Sequence, residues 1–254
     1  MPCCMKKFVS VFLAVALFAT FSLPAFASFD NTSLPTNEVG VSNDEKQNLT
    51  FLEGKLGETH LLYTYEEGGR TYKVEECATP DFSEVKSDVF ILNEDNEYEL
   101  LREIESTSAG DAIEIATTES QTQTEKRTVT IPDMYNYSKE ESSTRSANEW
   151  EWVTEYVDGN TYLGNITVLV IIQILTKIAN KVYPQASLVS ESIAVAASAL
   201  FSANAKYVYY HKICNSRHSD RNYLVMEATE YTKYYEDAAH TIYVGDAYAE
   251  YLDE

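Results

Sequence analysis

A chain that carries Ile166–Val182 (ITVLVIIQILTKIANKV) must find cover for a helix that is apolar on nearly every side. Ile171, Ile174, Leu175, Ile178 and Val182 recur at helical spacing, and Asn165 stands ahead of them as a fair N-cap. The β-branched residues of the first turn keep a strand as the alternative. Pro184 separates this run from SLVSESIAVAASALFSANAKY, whose Ala and Ser residues suit a closely packed second helix. The two predict an αα-hairpin over about 166–205. Gln173, Lys177, Asn180 and Lys181 interrupt the first helix and Glu191 the second, so neither offers the ~18 apolar residues of a membrane span. The expected place for the pair is a protein core.

The segments on either side alternate as strands do. His60–Tyr65 and Arg70–Glu75 flank Gly68-Gly69, which reads as a hairpin. Asp88–Leu92 and Tyr98–Leu101 flank an Asn93–Asn96 turn, and Ala112–Ala116 and Lys126–Ile131 flank TTESQTQTE. Trp150 and Trp152 alternate with acidic residues, Asp158-Gly159 offers a tight turn, and Tyr162 opens the return strand. Beyond the helices, Tyr207–Ile213, Tyr223–Tyr231 and Thr241–Val244 are strand candidates. Ten of the 19 tyrosines lie at or after Tyr207, which predicts sheet surface with buried ring faces and wet hydroxyls.

The predicted class is α+β: a β-rich N-terminal module joined by a polar linker to a C-terminal antiparallel sheet packed on the apolar αα-hairpin. The boundaries read as 28–47 for a flexible leader, 48–137 for the β-rich module, 138–148 (SKEESSTRSAN) for the linker and 149–254 for the α+β module.

Residues 1–27 have the three parts of a cleaved secretory signal: Lys6-Lys7, an apolar run from Phe8 to Leu23, and Ala25-Phe26-Ala27 after Pro24. Cleavage is expected between Ala27 and Ser28, and the expected location is outside the cell or on its surface. Loss of Lys6 and Lys7 leaves 40 acidic against 17 basic residues, a formal charge of −23. Such a chain repels nucleic acid at long range, so no nucleic-acid partner is expected. Of the 4 cysteines, Cys77 and Cys214 lie beyond the signal. In an oxidising compartment they either form one long-loop disulfide, worth about 2–5 kcal/mol, or stay as separate thiols.

Chemistry-bearing constellations are sparse. His211, Cys214 and His218 are metal-capable, but on a strand His211 and Cys214 point to opposite faces, so no metal site is expected. Asn93–Glu97 lacks the central Gly and closing Glu of a calcium loop and reads as a solvated turn. Asp237 and His240 can orient one another, yet no Ser or Cys motif completes a triad. GxSxG, HExxH and phosphate-loop patterns are absent from the sequence, and no cofactor is expected.

Tyr63–Glu75 (YTYEEGGRTYKVE), a later Trp-containing strand and an apolar hairpin followed by Tyr-rich strands resemble uncharacterised secreted proteins of Gram-positive bacteria. That resemblance implies export and transfers no catalytic role to any residue. The functional expectation is a secreted, acidic, non-enzymatic binding protein with its partner left open. The alternative is a precursor, processed near Arg145, whose C-terminal module is a membrane-active, bacteriocin-like product; membrane contact belongs to that alternative alone.

Overall fold

A computed structural model describes residues 45–119, 123–131, 153–179, 191–219 and 226–251. The signal and its Ala27/Ser28 junction, nearly all of the leader, the 138–148 linker, Arg145 and both tryptophans lie outside the described residues.

The first sheet is a seven-stranded antiparallel meander in chain order. Its strands are β1 (Gln47–Glu53), β2 (His60–Glu67), β3 (Arg70–Ala78), β4 (Glu84–Leu92), β5 (Tyr98–Ala109), β6 (Ala112–Glu119) and β7 (Gln123–Thr130). The three expected hairpins are β2–β3, β4–β5 and β6–β7, with Tyr63 opposite Val74 and Ile115 opposite Arg127. Strand β1 is an addition to the sequence reading. Two register irregularities interrupt its pairing with β2, and such breaks blur the alternation that marks a strand.

The second sheet has four antiparallel strands in the order β11-β10-β9-β8. These are β8 (Val153–Tyr162), β9 (Tyr207–His218), β10 (Met226–Tyr235) and β11 (Tyr243–Tyr251). Helices α1 (Val168–Ala179) and α2 (Glu191–Ser202) are inserted between β8 and its neighbour β9. The architecture is therefore antiparallel sheet with two helices, an α+β fold.

Two local expectations are corrected. Asp158-Gly159 makes no turn, because β8 runs straight through it. Gly159 lies opposite Tyr210, whose hydroxyl oxygen is 2.3 Å from where a Cβ would stand. The missing side chain makes room for a ring, not for a reversal. Helix α1 starts two residues later than an Asn165 cap implies. The Thr167 carbonyl accepts the first intrahelical bond, from the Ile171 N–H, so Thr167 is the N-cap.

The reason α1 is apolar all round is its position. Continuous burial from Val168 to Leu175 leaves no solvent side. One flank meets Leu61, Tyr63, Val74, Val89, Ile104 and other inward residues of the first sheet, and the same core continues through Val208, Tyr210, Tyr234 and Ala247 of the second. Eight buried Val, Leu and Ile side chains on α1 each contribute about 1.5–3 kcal/mol. That burial overrides the strand propensity of a β-branched run. Helix α2 completes the layer. Phe201 sits edge-on to Tyr63 and Tyr65, and Gly245 of β11 lets the Ala196 methyl approach within 2.8 Å of its absent Cβ position. No described helix is long and apolar enough to cross a membrane.

Candidate binding face on the second sheet

Polar side chains from both sheets fasten α1, the first sheet at its start and the second at its end. At the start of α1, the fully buried Glu76 of β3 accepts the Leu169 N–H at 3.2 Å and the Ser87 hydroxyl at 2.9 Å. Tyr63 accepts the Val168 N–H at 3.3 Å and also bonds Glu76. Burial raises the Glu76 carboxyl to about 7, against the opposing pull of the Thr167, Ser87, Leu169 and Tyr63 hydrogen bonds. At the end of α1, Lys212 of β9 donates to the carbonyls of Ile178 at 3.2 Å and Ala179 at 3.0 Å. Its ammonium lies 2.7 Å from Glu230 of β10, both side chains being buried. Burial raises the Glu230 carboxyl and Lys212 opposes that shift. Tyr234 adds a hydroxyl bond to the Leu175 carbonyl at 2.8 Å. A carboxylate at the helix start and a cation at its end both follow the sign of the helix dipole.

Strand alternation decides what the other side of the sheet shows. On β9, Val208, Tyr210, Lys212 and Cys214 are buried, so Tyr207, Tyr209, His211 and Ile213 face outward. Adjacent tyrosines thus part company: Tyr209 faces out and Tyr210 in, Tyr235 out and Tyr234 in. The outer residues line up across the strands in rows. One row is Asn160, Tyr209 and Tyr235, with Tyr243 beyond; the next is Asp158, His211, Lys233 and Asp246; the third is Tyr156, Ile213, Tyr231 and Tyr248. Tyr162 and Tyr207 close the end of β8–β9 with rings 5.2 Å apart.

This lattice is both exposed and braced. Tyr156 is 63 % exposed, Tyr248 56 % and Tyr243 53 %. Tyr231 and Tyr243 each donate a 2.8 Å hydrogen bond to Asp246, which also receives the Ser192 hydroxyl from α2. Partial burial would raise Asp246, but the three hydroxyls outweigh it and hold the carboxyl below its ordinary value. Burial, then the bond to Asp246, pushes the Tyr243 phenol up to about 12, so it stays a donor at neutral pH. Asp158 lies 2.7 Å from His211, whose ring stacks beside Tyr156 at 6.0 Å. Such an array can stack on flat or cationic groups and bond polar ones without first ordering its side chains.

The residues singled out in the sequence fall as follows. Cys77 is on the outer side of the first sheet and Cys214 on the inner side of the second, and no disulfide joins them. Parity turns Cys77 to the outer side of its sheet, while Cys214 is buried beside Val157. His211 and Cys214 are on opposite faces, as alternation demands. The Asp237 carboxylate is taken up by the β10–β11 turn, accepting the Thr241 and Ile242 N–H groups and the Thr241 hydroxyl. His240 stacks instead on Tyr235 at 4.6 Å. Asn93 uses its Oδ1 to accept the Asp95 and Glu97 N–H groups, making the segment a structural turn. Sequence reasoning missed Glu76, Lys212 and Glu230 as helix fasteners. It marked the tyrosine-rich strands as amphipathic surface without saying which tyrosines face outward, for which the period-2 alternation of 207–213 was the available signal.

No protein-family model, curated protein or solved structure matches this chain.

Proposed function

We propose that the chain is an exported acidic protein that acts by binding, and that its ligand lies on the outer face of the second sheet. The observation that carries the reading is the braced tyrosine lattice: exposed rings whose hydroxyls are tied to Asp246 and to Glu250 rather than left mobile. Contiguous exposed aromatic surface is costly in water and marks interaction sites, where Tyr is enriched. The secretory leader supports export. The finer division into a β-rich N-terminal module, a linker and a C-terminal α+β module belongs to the same proposal, with both modules sharing α1 as their core. Asp237 and His240 serve a turn and a ring stack, which favours binding over catalysis at that pair.

The test is an array of peptides and oligosaccharides probed with the full chain and with a Tyr156→Ser/Tyr248→Ser variant. The reading predicts a ligand class retained by the native chain and lost by the variant. Identical profiles for the two proteins would remove it. Intact-mass analysis of the culture medium tests export: a species beginning at Ser28 is expected, and a cell-retained chain starting at Met1 contradicts it.

A further inference from the structure

The proposed binding face has a shape and a charge that narrow its partner. Four strands about 4.8 Å apart, over about ten residues of about 3.3 Å each, give a platform on the order of 600 Å². It is well matched to an extended segment. A second copy would bring together two exported chains of formal charge −23 each.

The chemistry of the rings points the same way. This chain repeatedly seats cations on its own aromatic faces. Lys73 lies 4.7 Å from the Phe90 centroid and 4.6 Å from that of Tyr98. Lys46 lies 4.6 Å from Phe201. On the second sheet itself, Arg127 covers Tyr162 at 5.3 Å and Lys233 covers Tyr231 at 5.5 Å. Tyr156, Tyr243 and Tyr248 keep more than half of their surface open to solvent. Carboxylates stand beside these open rings: Asp158 two residues from Tyr156 on β8, Asp246 bonded to Tyr243, and Glu250 bonded to Tyr248 at 3.0 Å. Lys233 lies within this set beside Asp246, and Arg217 is paired with Glu227 at 2.8 Å. Open π faces flanked by carboxylates are a receptor for ammonium and guanidinium groups, which gain cation–π attraction and an ion pair at once.

Resting on the binding reading above, we propose that the outer face of the second sheet docks a Lys- or Arg-rich extended segment of a partner protein, with its cations seated on Tyr156, Tyr243 and Tyr248. Tyr156 and Tyr248 stand at opposite ends of one row, three strand spacings or about 14 Å apart, and residues four apart in an extended segment are about 13 Å apart. A guest that crosses the strands therefore brings cations four residues apart to the two ends of that row.

Fluorescence anisotropy with the full chain and a labelled (Lys-Ser)6 peptide tests this, with (Glu-Ser)6 and a neutral labelled cellohexaose as comparators. Saturable binding of (Lys-Ser)6 that weakens with salt is expected, with none for (Glu-Ser)6. Y156S/Y248S is expected to lose at least tenfold in affinity, and Y156F/Y248F, which keeps the rings, to stay within threefold. The control for bulk charge is E75Q/D88N/E103Q on the first sheet, where those three carboxylates stand opposite one another across β3, β4 and β5. It is expected to change affinity by less than twofold. Equal losses in the two sets of variants, or no binding of (Lys-Ser)6, would overturn the proposal. Cellohexaose binding that Y156S/Y248S abolishes, without peptide binding, would overturn the cationic guest and leave the binding face standing. Binding of every probe unaffected by Y156S/Y248S would overturn both.

Discussion

Glu76 and Lys212 hold opposite ends of the same helix from opposite sheets. The Glu76 carboxylate receives the Leu169 N–H at the start of α1, and the Lys212 ammonium reaches the Ile178 and Ala179 carbonyls at its end. Neither is exposed, so each stands where an uncompensated charge is expensive. Between them lies the most apolar segment of the described chain. The consequence for function is mechanical: the strand that carries Lys212 inward carries His211 and Ile213 outward, so the binding face is built on a fastened backbone.

Removing one partner of the Lys212–Glu230 pair should expose its cost. Lys212→Met leaves Glu230 buried without its cation and frees two helix carbonyls. A loss of about 3–5 kcal/mol is expected in urea unfolding at pH 7. The double variant Lys212→Met/Glu230→Gln is expected to lose less than the single one.

Glu76 predicts a pH dependence of definite sign. Its folded value of about 7 lies above the ordinary 4.5 of an unfolded glutamate. The folded state thus holds the proton more tightly between those values. Its contribution is most favourable below pH 4.5 and declines as pH rises to 7, by up to roughly 3 kcal/mol. Glu76→Gln should flatten the stability profile across that window, as read from urea midpoints at pH 5, 6 and 7.5. An unchanged slope would contradict the assignment.

Asp88 predicts a gain. Burial raises its carboxyl, and Glu103 and Glu75, its direct cross-strand neighbours, add to the shift. Like charges set opposite one another weaken a sheet. Asp88→Asn should stabilise the protein at pH 7 by about 0.2–1 kcal/mol. The advantage should fade as pH falls through the raised Asp88 value toward the ordinary 3.8, because native Asp88 is then protonated as well. Thermal unfolding at pH 7 and pH 4 reads this difference.

Close approach of α2 to β11 predicts the effect of a single methyl. A Cβ at position 245 would stand 2.8 Å from the Ala196 Cβ and 3.0 Å from the Ser192 carbonyl oxygen. Gly245→Ala should cost about 1–3 kcal/mol by overpacking. Ala196→Gly in the same chain should recover part of it, a coupling readable in a double-mutant cycle.

What was legible in the sequence followed from local pattern. Alternation around Gly68-Gly69 located the Tyr63–Val74 pairing, and the 3.6-residue period located α1. What was illegible depended on partners distant along the chain. The carboxylate that serves the start of α1 comes from 93 positions earlier, so no local motif near Asn165 reveals it. Asp158-Gly159 has the local signature of a turn, and the Tyr210 ring that explains the glycine belongs to another strand. The tyrosine face was half legible. Composition marked the region as amphipathic surface, but only the register shows that Tyr156, Tyr231 and Tyr248 fall in one row.

Helix α1 is a core shared by the two sheets, and segment-resolved hydrogen exchange through a urea titration tests that most directly. Amides of β3 and β9 are predicted to lose protection at one common midpoint, since neither sheet can keep its inner face covered once α1 leaves. Retention of full protection in β9 at urea concentrations where β3 is already open would show two independent cores and contradict it.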